Sequence, residues 1–321
     1  MARRSMGAAR TAGAVTLGAA LMVAAAACSA GSPKAAPTGP QPLVAGTAVA
    51  TRVTKYPIAG VTLYQLFYPT QGVRVEAYLT VPQSRRPVPL LVQLHGGFVS
   101  EEAIQHYNFG YTAAMAARLA SASYAILYPE YQGYLQSAGQ VRGLYTTALD
   151  TLAGIRAVEA LVPIDPQRLY LVGYSLGGGV ALKVASLLPH VRAVVAVSPY
   201  VGLRTVLPWQ AANAQPGTRF FNQRVGETRS YGTLPSQAVL AKESPDVSTI
   251  TAPVLFLQGT GDHHVAWQTV QQFFTEMKAA GKVVKLVLYP GGHHGLHHDY
   301  ASAAYVELVT WLQKYGLTFS S

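Results

Sequence analysis

Apolar and polar residues alternate strictly from Val73 to Val81. Val73, Val75, Ala77, Leu79 and Val81 fall on one side, and Arg74, Glu76, Tyr78 and Thr80 on the other. A repeat of two is that of a strand with one face buried and one wet. A second apolar run, Val61 to Tyr68, precedes it across Pro69-Thr70-Gln71-Gly72, so the pair is expected to form an antiparallel hairpin at a sheet edge. Beyond it the pattern changes. Largely apolar runs at Leu90 to Leu94, Tyr124 to Tyr128, Leu169 to Val172, Ala193 to Val197, Val254 to Leu257 and Val283 to Tyr289, interrupted only by Gln93 and Lys285, read as strands buried on both faces. Helical stripes lie among them. Leu149, Leu152, Ile155, Val158 and Val162 mark one face of a helix that ends before Pro163, and Leu176, Val180, Val184, Leu187 and Leu188 mark another. Further helices are expected near Thr112 to Ser121, Trp267 to Ala280, and at the C-terminus with Tyr305, Leu308, Val309 and Leu312 inward. Strands alternating with helices predict an α/β chain with a mostly parallel, doubly wound sheet, helices on both faces.

The first residues depart from this pattern. Arg3, Arg4 and Arg10 precede an uncharged apolar run from Ala12 to Ala27, and Cys28 follows. That layout predicts an export signal over residues 1–27, too short and wrongly flanked for a persistent membrane span. It resembles a bacterial lipoprotein signal, which implies lipid attachment at Cys28 and anchoring to a membrane surface; plain secretory cleavage is the alternative. Cys28 is the only cysteine, so no intrachain disulfide can form. Residues 28–46, rich in Ala, Pro, Gly and Ser, are expected to be a flexible linker, and residues 47–321 one domain with its own core.

The formal net charge is +10, three of those charges lying in residues 1–27. The other basic residues are scattered rather than striped along a helix, and no nucleic-acid motif is present, so a nucleic-acid partner is not expected.

The candidate chemistry sits where strands end. Gly173-Tyr174-Ser175-Leu176-Gly177 follows an apolar strand and opens a helix, the setting of a G-x-S-x-G elbow that holds Ser175 out on a tight corner. His95-Gly96-Gly97-Phe98 follows an earlier strand, and its glycines leave backbone N–H groups free to face a ligand. The N–H groups of Gly97 and Leu176 are the candidate oxyanion donors, Phe98 and Tyr174 the candidate substrate contacts, and His95 a brace for its loop. Gln258-Gly259-Thr260-Gly261-Asp262 delivers a carboxylate that could orient a histidine; alone, it reads equally as a helix cap. Tyr289-Pro290-Gly291-Gly292-His293-His294-Gly295 delivers two histidines, one of which could serve as general base. The order Ser175, Asp262, His294 is that of α/β-hydrolases.

From about Pro87 onward these residues carry a family resemblance. His95-Gly96-Gly97, Asp165-Pro166-Gln167-Arg168-Leu169 leading into the elbow, Ser244-Pro245, Ala252-Pro253-Val254-Leu255, the Asp262 turn and Tyr289-Pro290-Gly291 resemble the catalytic domain of the prolyl oligopeptidase family. The resemblance implies an α/β-hydrolase fold and a serine hydrolase acting through Ser175, His294 and Asp262 on an ester or short peptide, without a cofactor. Its register assigns the base to His294, with His293 as rival. Two departures stand out: His263-His264 follow Asp262 where the family has valines and a proline, and the gating propeller of large members is missing. Without a gate, an ester is favoured over a peptide.

Residues 199–250 form an insertion carrying Tyr200, Trp209, Phe220, Phe221 and Tyr231, expected to act as a lid over the acyl pocket or to pack as a surface excursion. Tyr107, Phe109, Tyr111 and Tyr131 could line the same cleft. His263, His264, His293, His294, His297 and His298 raise the alternative of a metal site, which the glycines around them and the lack of H-E-x-x-H oppose. A hydrolase fold serving only to bind is the remaining alternative.

Overall fold

Two residues make the turn of the expected hairpin. Thr70 pairs with Val73 across Gln71 and Gly72, whose φ angles of 48° and 81° give the doubly left-handed turn that suits the twist of a hairpin. The computed structural model describes residues 42–97 and 110–319. The hairpin joins β3 (Val61–Thr70) to β4 (Val73–Pro82), but it is not the sheet edge. β1 (Leu43–Ala45) and β2 (Ala48–Arg52) pair outside it, so the last residues of the expected linker belong to the sheet.

β4 also corrects the reading of its alternation. Glu76, Tyr78 and Thr80 are buried, because the short helix over Ala113–Arg118 and the loop carrying Gln136 and Ser137 cover that face of β4. The buried carboxylate of Glu76 is met by donors, accepting from Gln65 Nε2 at 2.6 Å and from the Gln136 backbone N–H at 3.1 Å.

The rest of the sheet is β5 (Val88–Leu94), β6 (Ala125–Pro129), β7 (Ile164–Tyr174), β8 (Val191–Val197), β9 (Val254–Gly259) and β10 (Val284–Tyr289). Strand order is β1-β2-β3-β4-β6-β5-β7-β8-β9-β10, antiparallel through β4 and its pairing to β6, and parallel from β6 to β10. Both faces of β5 to β9 are covered, so their side chains divide between two cores; β10, expected to be buried on both faces, is instead the edge strand, with Lys285 exposed and only Tyr289 fully buried. Leu90, Leu171, Val194 and Phe256 face α2 (Gly143–Leu161), α3 (Leu176–Leu187) and α7 (Trp267–Ala279). Leu91, Val172, Val195 and Leu257 face α1 (Ala113–Arg118) and α8 (Ala301–Lys314). Each such side chain contributes roughly 1.5–3 kcal/mol by leaving water.

The insertion after β8 is three helices, α4 (Leu203–Asn213), α5 (Arg219–Tyr231) and α6 (Gln237–Lys242). Polar contacts pin its base. Glu243 accepts from the N–H groups of Leu144 and Tyr145 at 2.7 and 3.2 Å, capping the N-terminus of α2. Lys183 Nζ donates to the carbonyls of Ser244 and Ala241 at 2.7 and 3.1 Å. No helix among the described residues is long and apolar enough to cross a membrane.

Candidate active site

Ser175 stands between β7 and α3 with φ 55° and ψ −118°, a conformation that costs a non-glycine residue on the order of 1–3 kcal/mol. Its neighbours hold it there. Its N–H donates to Val197 O at 2.9 Å, and its carbonyl accepts from Tyr200 N at 3.0 Å. The flanking glycines are required by close approach: a Cβ on Gly173 would lie 2.0 Å from Gly177 O, and one on Gly177 would lie 2.2 Å from Leu94 O. α3 begins at Leu176, so its unpaired N-terminal N–H groups open beside the serine.

Two loops from neighbouring strands complete the centre. Those after β9 and β10 are zipped together, Thr260 N donating to Tyr289 O at 2.9 Å and Gly261 N to Gly292 O at 3.0 Å. A Cβ on Gly259 would meet Gly292 O at 2.0 Å, so the glycines of both segments serve this contact. Asp262 and His294 are thereby brought side by side. His294 Nδ1 lies 2.7 Å from Asp262 Oδ2, and His294 Nε2 lies 3.0 Å from Ser175 Oγ.

Asp262 is buried. Burial pushes its pKa up, but hydrogen bonding and charge from His294, with the N–H groups of Val265 and His264, outweigh it and hold the carboxyl below its usual range. Those N–H groups reach Oδ1 at 2.9 and 2.7 Å, and Gln258 Nε2 donates to Oδ2 at 3.1 Å. An anionic Asp262 accepts a hydrogen bond from Nδ1–H of His294, which leaves the Nε2 lone pair facing the serine hydroxyl.

The paired histidines point different ways. His293 Nδ1 lies 2.6 Å from Asp299 Oδ2 at the surface, with its side chain 65% exposed. Among the described residues no group of three or more His, Cys, Asp or Glu side chains is arranged to hold a metal ion.

The loop after β5 lies against the elbow. A Cβ on Gly96 would sit 3.3 Å from Ser175 Cβ, and the side-chain position of Gly97 is filled by the Tyr134 hydroxyl. His95 is fully buried, with Nε2 3.1 Å from Glu130 Oε2 and its ring stacked on Tyr131 at 4.3 Å. Tyr111 and Tyr131 are buried around it instead of lining a cleft; Tyr111 N donates to Glu130 Oε1 at 2.6 Å. Tyr174 is half-buried, its ring 5.1 Å from that of His294. Cys28, Phe98, Tyr107 and Phe109 lie outside the described residues.

Two contributors were not placed at the catalytic centre by the sequence reading. Ser198 Oγ accepts from Gly295 N at 3.1 Å and so holds the histidine loop; as a lone serine after a strand, it carried no local signal. The ring of His264 stacks on His294 at 4.5 Å, with 11° between planes. Burial, then the charges of His294 and Arg219, push the pKa of His264 down to about 4. It is therefore uncharged at neutral pH. Its signal was present as a histidine where the related pattern has apolar residues.

Comparison with known proteins agrees with this architecture. The model of the prolyl oligopeptidase family matches residues 112–317. A Methylorubrum extorquens protein named "Putative carboxymethylenebutenolidase" is 24% identical over 299 residues, covering 86% of this chain and 88% of that protein. The acylamino-acid-releasing enzyme of Arabidopsis thaliana is 25% identical over 245 residues; the match covers 71% of this chain but only 30% of that longer enzyme. Among solved structures, acetyl xylan esterase from Paenibacillus sp. R4 superimposes with a TM-score of 0.67 at 18% identity, over 84% of this chain and 89% of that one. A puromycin-hydrolyzing peptidase of Mycobacterium tuberculosis does so at 0.64 and 19% identity, over 86% and 46%.

Proposed function

Because this chain belongs to the prolyl oligopeptidase family and is a serine hydrolase of the α/β-hydrolase fold, we propose that it cleaves carboxylic esters through an acyl-enzyme on Ser175. The observation that carries this reading is the relay from Asp262 Oδ2 through His294 to Ser175 Oγ, at 2.7 and 3.0 Å. Ser175 Oγ attacks the carbonyl carbon as His294 Nε2 takes the hydroxyl proton. Asp262 holds the imidazole in the right tautomer and stabilises the cation that forms. The carbonyl oxygen becomes an anion, met by the N–H groups of Gly97 and Leu176. His294 returns the proton to the departing alkoxide, which leaves as the alcohol. Water, deprotonated by the same histidine, then splits the acyl-enzyme into the acid and free Ser175.

The test is fluorophosphonate labelling of wild type and Ser175→Ala, with kinetics on p-nitrophenyl esters of increasing chain length beside aminoacyl and dipeptidyl nitroanilides. The expected result is labelling of Ser175 alone, with kcat/KM on esters above that on anilides. Absence of labelling, or equal turnover by Ser175→Ala, overturns the mechanism; faster anilide cleavage makes the enzyme a peptidase. Residues 1–27 further support export with lipid attachment at Cys28, which would place the reaction at a membrane surface. Cys28→Ala should then shift the protein from the membrane fraction to the soluble one, and unchanged fractionation rules the anchor out.

A further inference from the structure

When His294 takes the proton of Ser175, a positive charge arises on a side chain only 13% exposed, where little water is at hand to solvate it. Both nitrogens of that ring are already engaged. Nδ1 lies 2.7 Å from Asp262 Oδ2, and Nε2 lies 3.0 Å from Ser175 Oγ. What remains open to stabilisation is the face of the ring, and a second imidazole covers it. The ring of His264 lies parallel to it within 11°, centroid to centroid 4.5 Å.

Two backbone contacts aim His264 there. Its N–H donates to Asp262 Oδ1 at 2.7 Å, so the residue two places beyond the carboxylate turns back along it, while His263 between them is exposed. Its carbonyl accepts from Gln223 Nε2 of α5 at 3.0 Å, so the insertion grips the residue that the Asp262 turn positions. The family pattern has valines and a proline after the aspartate, so the stack does not come with the fold.

The charge state suits this arrangement. The face of an uncharged aromatic ring is electron-rich and attracts a cation within about 6 Å of its centroid, whereas a charged ring would repel it. Burial, with the charges of His294 and Arg219, holds His264 uncharged at neutral pH, its pKa pushed down to about 4. Tyr174 also approaches His294, its ring 5.1 Å away and inclined by 49°, and the exposed Arg219 acts on His264 and Tyr174. His297 is the remaining titratable neighbour, and burial and the charge of His294 push its pKa down. Asp262 acts at the edge of the catalytic ring; His264 is the group stacked on its face.

We propose that His264 is a positioning residue for the proton-transfer step: its ring fixes the tilt of the His294 imidazole and meets the imidazolium with its π face. The inference rests on His294 being the base that serves Ser175, and its test separates the two claims.

His264→Leu and His264→Ile cover His294 without a π face, and His264→Phe restores one. For each variant, kcat and KM on a p-nitrophenyl ester are measured beside the Ki of a trifluoromethyl ketone carrying the same acyl group. The ketone carbon bonds to Ser175 Oγ, its oxygen becomes the anion, and His294 keeps the serine proton, so Ki reads the stability of the imidazolium state. A desolvated cation–π contact corresponds to about fivefold to thirtyfold. In the aliphatic variants kcat should fall and Ki should rise by that factor, with KM nearly unchanged, and His264→Phe should keep both within about twofold of wild type. Should one aliphatic variant fail to fold, the other decides. If the aliphatic variants that fold keep the wild-type kcat and Ki, or if His264→Phe loses as much as they do, the inference is wrong while the relay stands. If wild type neither takes the fluorophosphonate label nor turns over esters, the relay itself fails and the inference falls with it.

Discussion

Replacing Asp262 with asparagine tests the proposed relay by changing one atom. In the native site Oδ1 accepts from two backbone N–H groups, of His264 at 2.7 Å and Val265 at 2.9 Å. Those donors belong to a fixed loop, so the asparagine oxygen must stay on their side. The new NH₂ group then occupies the place of Oδ2, facing His294 Nδ1 and Gln258 Nε2, which lie 2.7 and 3.1 Å from that oxygen. A donor directed at Nδ1 requires Nδ1 to be unprotonated, and the neutral ring must then carry its proton on Nε2. Nε2 lies 3.0 Å from Ser175 Oγ and can no longer accept the hydroxyl proton. The ring is held in place but in the wrong tautomer. Substitutions of this kind cost about 10⁴ in kcat, on the order of 5 kcal/mol of transition-state stabilisation. KM for a p-nitrophenyl ester should change little, because no contact to substrate is removed. Fluorophosphonate labelling should slow with kcat, while circular dichroism stays native. An Asp262→Asn enzyme that folds and turns over within tenfold of wild type would refute the relay, whatever its distances.

Three further outcomes follow from contacts already described. His294→Ala should lower kcat by about 10⁴, whereas His293→Ala should stay within about threefold, since it removes only an exposed pair with Asp299; steady-state ester kinetics giving the reverse ranking would move the base to His293. Gly177→Ala drives a Cβ to 2.2 Å from Leu94 O, backbone against backbone, and should cost more than about 3 kcal/mol; a melting temperature equal to wild type would show that the elbow has slack. Glu227 should make stability fall with pH: its carboxyl keeps its proton to about 7 in the fold but releases it near 4.5 when unfolded, so stability is greatest below about 4.5 and roughly 3 kcal/mol is lost by alkaline pH. Glu227→Gln should flatten that decline in denaturant titrations between the two values, and an unchanged slope would mean the group is not proton-bound in the fold.

The parts of this molecule legible in its sequence are those where one local rule decides the outcome. The apolar runs at Leu90 to Val92 and Val254 to Leu257 can be satisfied only between two helical layers, and they lie there. The glycines of the elbow and of the β9 and β10 loops were legible because their crowding forbids any larger residue. β4 misled because alternation reports which residues are apolar, and says nothing of what the chain later lays over the other face. α1 and the loop after β6 pack over it, and the expected wet face becomes a second core in which Glu76 is sustained by donors from Gln65 and Gln136.

Within the site, legibility stops at contacts between segments distant in the chain. The spacing of Ser175, Asp262 and His294 is ordered by the fold class, so the candidates could be named before any geometry. No rule of spacing links Ser198 to Gly295 or puts the ring of His264 on His294, for each depends on two loops arriving at one height above the sheet. The insertion is the extreme case. Its aromatic residues were visible as composition, but nothing local in the sequence brings the Tyr200 hydroxyl onto Glu227 of α5, or Glu243 and Lys183 to the base of the helices. The strand-end candidates are therefore legible in the sequence, while the arrangement inside the insertion depends on how three short helices are tied down.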